Sequence, residues 1–208
     1  MKTIVVMKEL SNNKNISFYS DNSTALFDQY QSLSFDAVHQ SWLGAIELSN
    51  FKTALDIGAG TGRDALALHD IGLCVTAIEP ARSLMDKGMA LTGDKVTWKS
   101  DTLPELPSLN ENTYDVILIS AVWMHLTKEQ QRQSLKRLST LLNDNGILVI
   151  TLRHGEFNDG RKAFEVDGKR LIKEAKAFHL TVIHTDNDTD QLNRPDVCWE
   201  TVVFTRKL

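Results

Sequence analysis

A run of small residues, Gly58-Ala59-Gly60-Thr61-Gly62, joins an apolar stretch to a helical one in this 208-residue chain. Glycines at such a turn admit left-handed backbone and let a ligand approach the main chain. The next apolar stretch ends in Glu79, 23 positions after Asp56. An acid at that strand end can accept both hydroxyls of a ribose. The spacing points to a nucleoside-bearing ligand; the alternative is a glycine-rich turn that binds nothing. A dinucleotide fingerprint needs Gly or Ala at its sixth place, for close helix packing. Counted from Gly58, the sixth residue here is Arg63. Asp56, two residues before the first glycine, would also repel a pyrophosphate. A ligand with positive charge and no phosphate suits this turn better.

Three further polar clusters should share one end of the sheet, because ligands in open α/β sheets sit beyond the carboxyl ends of the strands. They are Ala121-Val122-Trp123-Met124-His125, Arg153-His154-Gly155 and Leu192-Asn193-Arg194-Pro195-Asp196-Val197-Cys198-Trp199. A pocket holding Arg153 and Arg194, with Arg161 nearby, would favour a carboxylate or phosphate. Each arginine has an alternative in surface pairing with Asp159, Asp196 or Glu156. His154 and His125 are the candidates for binding or proton removal, though a histidine just before a helix is more often structural. Trp123 and Trp199 could wall the pocket, and Tyr30 or Phe35 could close it. The six histidines show no HxxxH or Cys/His spacing, so no metal site is expected.

These residues need a scaffold that brings them together. Apolar runs over 53–57, 74–78, 95–99, 114–119 and 147–152 predict five strands. Helical patterns over 63–71 and 81–91 separate them, as does one opened by the capping box Thr127-Lys128-Glu129-Gln130. A helix around Lys169–Phe178, a strand from Thr181 and a strand over Val197–Thr205 complete the pattern. The alternation predicts a doubly wound, mostly parallel, seven-stranded Rossmann-like α/β sheet. Only about a dozen residues without helical pattern join the last two strands, so the final strand should be antiparallel. Residues 11–24, rich in Asn, Ser and Asp, read as a mobile approach, and 25–49 as one or two amphipathic helices. Residues 1–50 are thus expected to form a helical cap or lid and 51–208 the main domain.

The motifs resemble those of the class I S-adenosylmethionine-dependent methyltransferases. Asp56 to Gly62 looks like that superfamily's first motif, and Ile78-Glu79-Pro80 like its second, whose acid holds the ribose. Ser100-Asp101-Thr102 is similar to the third, which contacts adenine. Tyr114-Asp115-Val116-Ile117 with Ser120-Ala121-Val122 resembles the fourth. Leu142 to Ile150 resembles the turn into the fifth strand, with Asn-Asp-Asn-Gly where Pro-Gly-Gly is usual. The resemblance covers about residues 51–152. It implies S-adenosylmethionine as cofactor, held by Asp56, Gly58, Ala59, Gly60, Gly62, Arg63, Glu79, Pro80, Asp101, Thr102 and Ser120. It implies in-line methyl transfer to a small acceptor at Arg153, Arg194, Trp123, Trp199 and Tyr30. Catalytic help would come from His154 or His125.

Two other readings stay open: a non-catalytic S-adenosylmethionine-binding module, and an NAD-dependent oxidoreductase. A net charge of −4 disfavours general nucleic-acid binding, and Ser120-Ala121-Val122-Trp123 replaces the Asp/Asn-Pro-Pro-aromatic stretch of base methylation. A protein acceptor is less expected than a compact molecule, and the chain is expected as a monomer or homodimer. No window reaches the ~20 apolar residues of a membrane span. Met1–Leu10 has too short an apolar run for a signal peptide. Cys74 and Cys198, outside any CxxC, read as buried thiols of a cytoplasmic protein.

Overall fold

The strands form where the sequence has its apolar runs. They are β1 (Thr53–Ile57), β2 (Cys74–Ile78), β3 (Val96–Lys99), β4 (Tyr114–Ile119), β5 (Leu142–His154), β6 (Leu180–Thr189) and β7 (Cys198–Arg206). The computed structural model describes residues 14–111 and 113–207, so the reading of Met1–Leu10 lies outside the described residues. The seven strands make one sheet in the order β3-β2-β1-β4-β5-β7-β6. β1 pairs in parallel with β2 and β4, β2 with β3, and β4 with β5. β7 runs antiparallel between β5 and β6. The order reverses at β1, so a crevice opens beyond the carboxyl ends of β1 and β4.

Both faces of the sheet are covered. Leu55, Ile57, Ile117, Leu148, Ile150 and Phe204 pack toward α6 (Lys128–Leu141) and α7 (Gly168–Ala175). Ala54, Val116, Leu118, Val149 and Val203 pack toward α3 (Phe35–Leu43) and α4 (Arg63–Asp70). This alternation of successive side chains decides later which residues reach the site. The capping box that opens α6 is formed: Gln130 N donates to Thr127 Oγ1 at 3.2 Å and Thr127 N to Gln130 Oε1 at 2.9 Å.

Three expectations change. The part of the 11–24 approach that is described is helical: α1 (Lys14–Asp21) leads into α2 (Ser23–Gln31). Ile16, Phe18 and Tyr19 pack against Leu84 of α5 (Arg82–Thr92), and that burial outweighs the weak helix preference of Asn and Ser. Cys74 and Cys198 are exposed, because each begins a strand at the sheet's rim. β5 continues past Leu152 to His154, pairing Arg153 with Trp199 and His154 with Cys198. No described helix is long and apolar enough to cross a membrane.

Candidate active site

The glycine turn is stitched to the neighbouring strand. Gly58 N and Ala59 N both donate to the Ile78 carbonyl, at 2.8 and 3.0 Å. That link sets Glu79 beside the turn, where its carboxylate accepts from Gly60 N and Ala81 N, each at 2.8 Å. Burial pushes the Glu79 carboxyl up to about 7, although both N–H groups oppose the rise. Gly58 and Gly60 hold φ of +73° and +55°. A Cβ on Gly60 would stand in the gap to the Tyr30 ring, 3.8 Å away, so the main chain there is bare. Ala59, Arg63, Glu79, Pro80, Asp101, Thr102 and Ser120 line the same cavity of about 1090 Å³. The Asp101 carboxylate itself is engaged: it accepts from Thr102 N, Ser108 N and Ser108 Oγ.

Two of the expected cofactor residues stand behind the turn and off the cavity wall. Asp56 shares the sheet face of Ala54, under α4, and one of its carboxylate oxygens has no partner among the described residues. Burial, with Asp64 beside it, raises its pKa well above the usual carboxylate range. Gly62 is a packing glycine: at φ +81° it caps α4, and a Cβ would lie 2.9 Å from the Trp98 ring. Trp98 is keyed in place by donating to Thr92 Oγ1 at 2.9 Å.

The leading helices are rooted to this turn. Trp42 Nε1 donates to His39 Nδ1 at 3.1 Å, which leaves Nε2 to donate to Asp64 at 3.0 Å. Arg63 donates to both oxygens of the same carboxylate and reaches the Tyr30 carbonyl. Burial opposes ionisation of Asp64, but His39 and Arg63 win and hold its pKa well below the usual range.

The far half of the cavity is cationic. Arg194 donates to Asp190 through Nε and Nη2, at 2.9 and 2.6 Å. Trp199 Nε1 donates to the same carboxylate at 3.0 Å. Arg161 grips Asp159, with its closest contact at 2.6 Å, and donates to the Tyr19 hydroxyl at 3.1 Å. Arg153, only 6% exposed, has no carboxylate partner among the described residues. Its Nη groups donate to the carbonyls of Gly155 and Glu156, and its Nε has no partner there. The Phe157 ring carries Arg153 and Arg161 at 4.1 and 4.0 Å from its centroid. Burial, then the charges of Arg194 and Arg161, lower the Arg153 pKa. Tyr30, His125, Arg153, Arg161, Arg194 and Trp199 all line the cavity.

Three candidates do not reach it, the first being Phe35, which is buried in the core with Trp42 and Leu68. His154 follows Arg153 on β5, so it faces the opposite side of the sheet. There it lies 3.4 Å from Glu200, which packs on Gly168 at the start of α7. Trp123 is 1% exposed in the core between β4 and α6, too deep to wall a pocket. Conversely, Phe157 and Asp190 line the cavity without having been singled out, and so does Tyr19, which the sequence offers only as one of several aromatic residues ahead of the glycine turn. Tyr19 lies four residues after Asn15, on one helix face, a spacing hidden by reading that stretch as irregular. Among the described residues no cluster of His, Cys, Asp and Glu could hold a metal ion.

Comparison with known proteins fits this geometry. The methyltransferase-domain family matches residues 54–146. An uncharacterized methyltransferase of Alkaliphilus oremlandii is 29% identical over 84% of this chain and 80% of its own length. A TehB-like S-adenosylmethionine-dependent methyltransferase from Corynebacterium glutamicum superposes with a TM-score of 0.65. It is 20% identical and covers 92% of this chain and all of its own. The 1,6-didemethyltoxoflavin-N1-methyltransferase of Burkholderia thailandensis, solved with S-adenosylhomocysteine, has a TM-score of 0.60. It is 17% identical over 95% of this chain and 80% of its own. Those two structures share the fold. Residues 54–146 are a methyltransferase domain, and the sheet order and the glycine turn have the form of the class I S-adenosylmethionine-dependent methyltransferases, the enzymes that this chain resembles.

Proposed function

We propose that the enzyme moves a methyl group from S-adenosylmethionine to a small anionic acceptor in the cytoplasm. Of the expected cap over residues 1–50, the described part, 14–50, covers the methyltransferase domain that begins at 51; residues 1–13 lie outside the described residues. The donor, when bound, supplies an electrophilic methyl on a positive sulfur. The residues present suit it: the bare backbone at Gly60 gives room, and the Glu79 carboxyl beside it offers oxygens to a sugar. Glu79 accepts the ribose hydroxyls through its remaining lone pairs. Pro80, Asp101 and Thr102 flank the base. Gly58, Ala59, Arg63 and Ser120 take the amino-acid end, and Asp56 and Gly62 brace the turn from behind.

The observation that carries the acceptor's charge is Arg153. A buried guanidinium with an unpartnered Nε and two cationic neighbours favours an anion, and the nearest carboxylate, Asp190, is already held by Arg194 and Trp199. Arg194 and Trp199 complete that wall, Tyr30 borders it on the Gly60 side, and together they hold the acceptor in line with the methyl, which raises its effective concentration. Water is kept out by α1 and α2 lying across the opening.

Calorimetry with S-adenosylhomocysteine and with NAD tests the cofactor half. Heat from the first and none from the second is expected. For the acceptor half, a cell metabolite extract is incubated with S-adenosylmethionine and searched for a compound that gains one CH2. Arg153→Met should leave S-adenosylhomocysteine affinity within about threefold and reduce that product at least about tenfold. Tight NAD binding alone, or full product formation by Arg153→Met, refutes the respective half.

A further inference from the structure

In the roof of the cavity, side chains from separate parts of the chain converge on one phenol. Tyr19, on α1, sets its hydroxyl 2.9 Å from His125 Nε2. Arg161 donates to that hydroxyl at 3.1 Å. Across the imidazole, Nδ1 lies 3.1 Å from the Lys162 carbonyl and 3.0 Å from Asn15 Nδ2. The Phe157 ring stacks on the imidazole at 5.5 Å between centroids, 19° from parallel.

The donors and acceptors order this cluster. A guanidinium only donates, so among the described residues the Tyr19 proton has one acceptor, His125 Nε2. Nε2 is then bare, Nδ1 carries the ring proton, and Nδ1–H donates to the Lys162 carbonyl, which also accepts from Asn15 Nδ2 at 2.9 Å, so the two nitrogens lie side by side as donors to one oxygen. This arrangement leaves the phenol proton satisfied, as buried polar groups require. It also leaves one lone pair of the phenol oxygen for the cavity, which Tyr19 lines. Burial, with Arg161 and Arg153 nearby, holds the His125 pKa down at about 4, although the Lys162 carbonyl and Asp159 oppose this. The ring is therefore an unprotonated acceptor at neutral pH.

Tyr19 also stands at the junction of the two halves of the cavity. It packs with Tyr30 on Ala81 and Leu84, beside Glu79, on one side. It bonds Arg161 on the other. A methyl group passing from a donor at the glycine turn to an anion at Arg153 would cross beside this phenol.

We propose that Tyr19 and His125 form a proton relay, and that the accepting atom is a hydroxyl oxygen or an ammonium nitrogen on the anion held by Arg153. This deepens, and rests on, the methyl-transfer reading above. The acceptor's lone pair bonds the methyl carbon as the carbon–sulfur bond breaks, with its electron pair remaining on sulfur. The acceptor's proton moves to the Tyr19 oxygen while the Tyr19 proton moves to His125 Nε2. An ammonium gives up this proton before its lone pair is free, and a hydroxyl as the new bond forms. The imidazolium, steadied through Nδ1–H by the Lys162 carbonyl, then returns the proton to solvent. A thiolate acceptor would need no such relay.

The first test reads the ring directly. Histidine-15N-labelled protein saturated with S-adenosylhomocysteine is examined at neutral pH by two-bond proton–nitrogen correlation, with His125 assigned from the loss of its signals in His125→Gln. The Nδ1–H tautomer is expected; an Nε2–H or doubly protonated ring overturns the relay. The second test measures transfer of labelled methyl into the small-molecule fraction of a cell extract. Tyr19→Phe, which keeps the ring packing, and His125→Gln should each lower transfer at least about 100-fold. S-Adenosylhomocysteine affinity should stay within about threefold. Transfer that survives Tyr19→Phe overturns the relay alone. No transfer by the unsubstituted protein, with the expected tautomer present, overturns the methyl-transfer reading and the relay's role with it.

Discussion

Replacing Glu79 by glutamine isolates the energetics of the buried acid beside the glycine turn. Its carboxyl moves from an ordinary 4.5 to about 7 on folding, chiefly through burial. A displacement of that size corresponds to about 3 kcal/mol. A raised carboxyl pKa means that the folded protein binds the proton more tightly than the unfolded chain. Its stabilising contribution is complete below pH 4.5 and is lost as pH rises to about 7. The glutamine amide does not titrate. The unfolding free energy of the native protein minus that of Glu79→Gln should therefore fall by about 2 kcal/mol between about pH 5.5 and 7.5. Urea unfolding of both proteins at matched pH values measures this difference. A constant offset, such as the loss of one backbone hydrogen bond to the amide, cancels from the slope. Ribose hydroxyls that donate to Glu79 favour its ionised form. S-Adenosylhomocysteine binding near about pH 6.5 should accordingly release a proton, visible as a calorimetric enthalpy that varies with buffer. A flat stability difference across that range would refute the burial argument.

Gly58→Ala should cost about 1–3 kcal/mol by thermal melting and weaken S-adenosylhomocysteine binding at least about tenfold. The residue holds φ +73°, and an added Cβ would collide with Val122 Cγ2. Trp123→Ala should destabilise by about 3–5 kcal/mol in urea unfolding, because it opens the core between β4 and α6. His154→Ala should leave methyl transfer within about twofold, since the side chain faces α7; a loss comparable to that of Arg153→Met would place it back at the cavity.

The sheet could be read from the sequence because its signals are local. Five apolar runs bounded by glycine and helical periods give β1 to β5, and the short link without helical pattern gives the antiparallel β7. The glycine turn and the acid beside it followed, since Gly58, Gly60 and Glu79 are tied to strand ends by chain order alone. The arginine half was partly legible. Arg153 and Arg194 reach one cavity because topology sends both segments to one sheet edge. His154 misled because the strand was ended at Leu152. Extending it by two residues makes Arg153 and His154 alternate, and only one can face inward. Trp123 misled because position along the chain says nothing about depth. The Tyr19–His125 contact joins residues 106 positions apart. It depends on α1, whose polar composition conceals a helix that only tertiary packing stabilises.

The indole of Trp98 lies against Gly62 behind the nucleoside turn, and that of Trp199 is bonded to Asp190 in the arginine wall. Each chamber thus has a native fluorophore at its margin. Filling either chamber should quench or brighten a different one, so the order in which two small molecules enter becomes visible in the protein's own emission, without a dye.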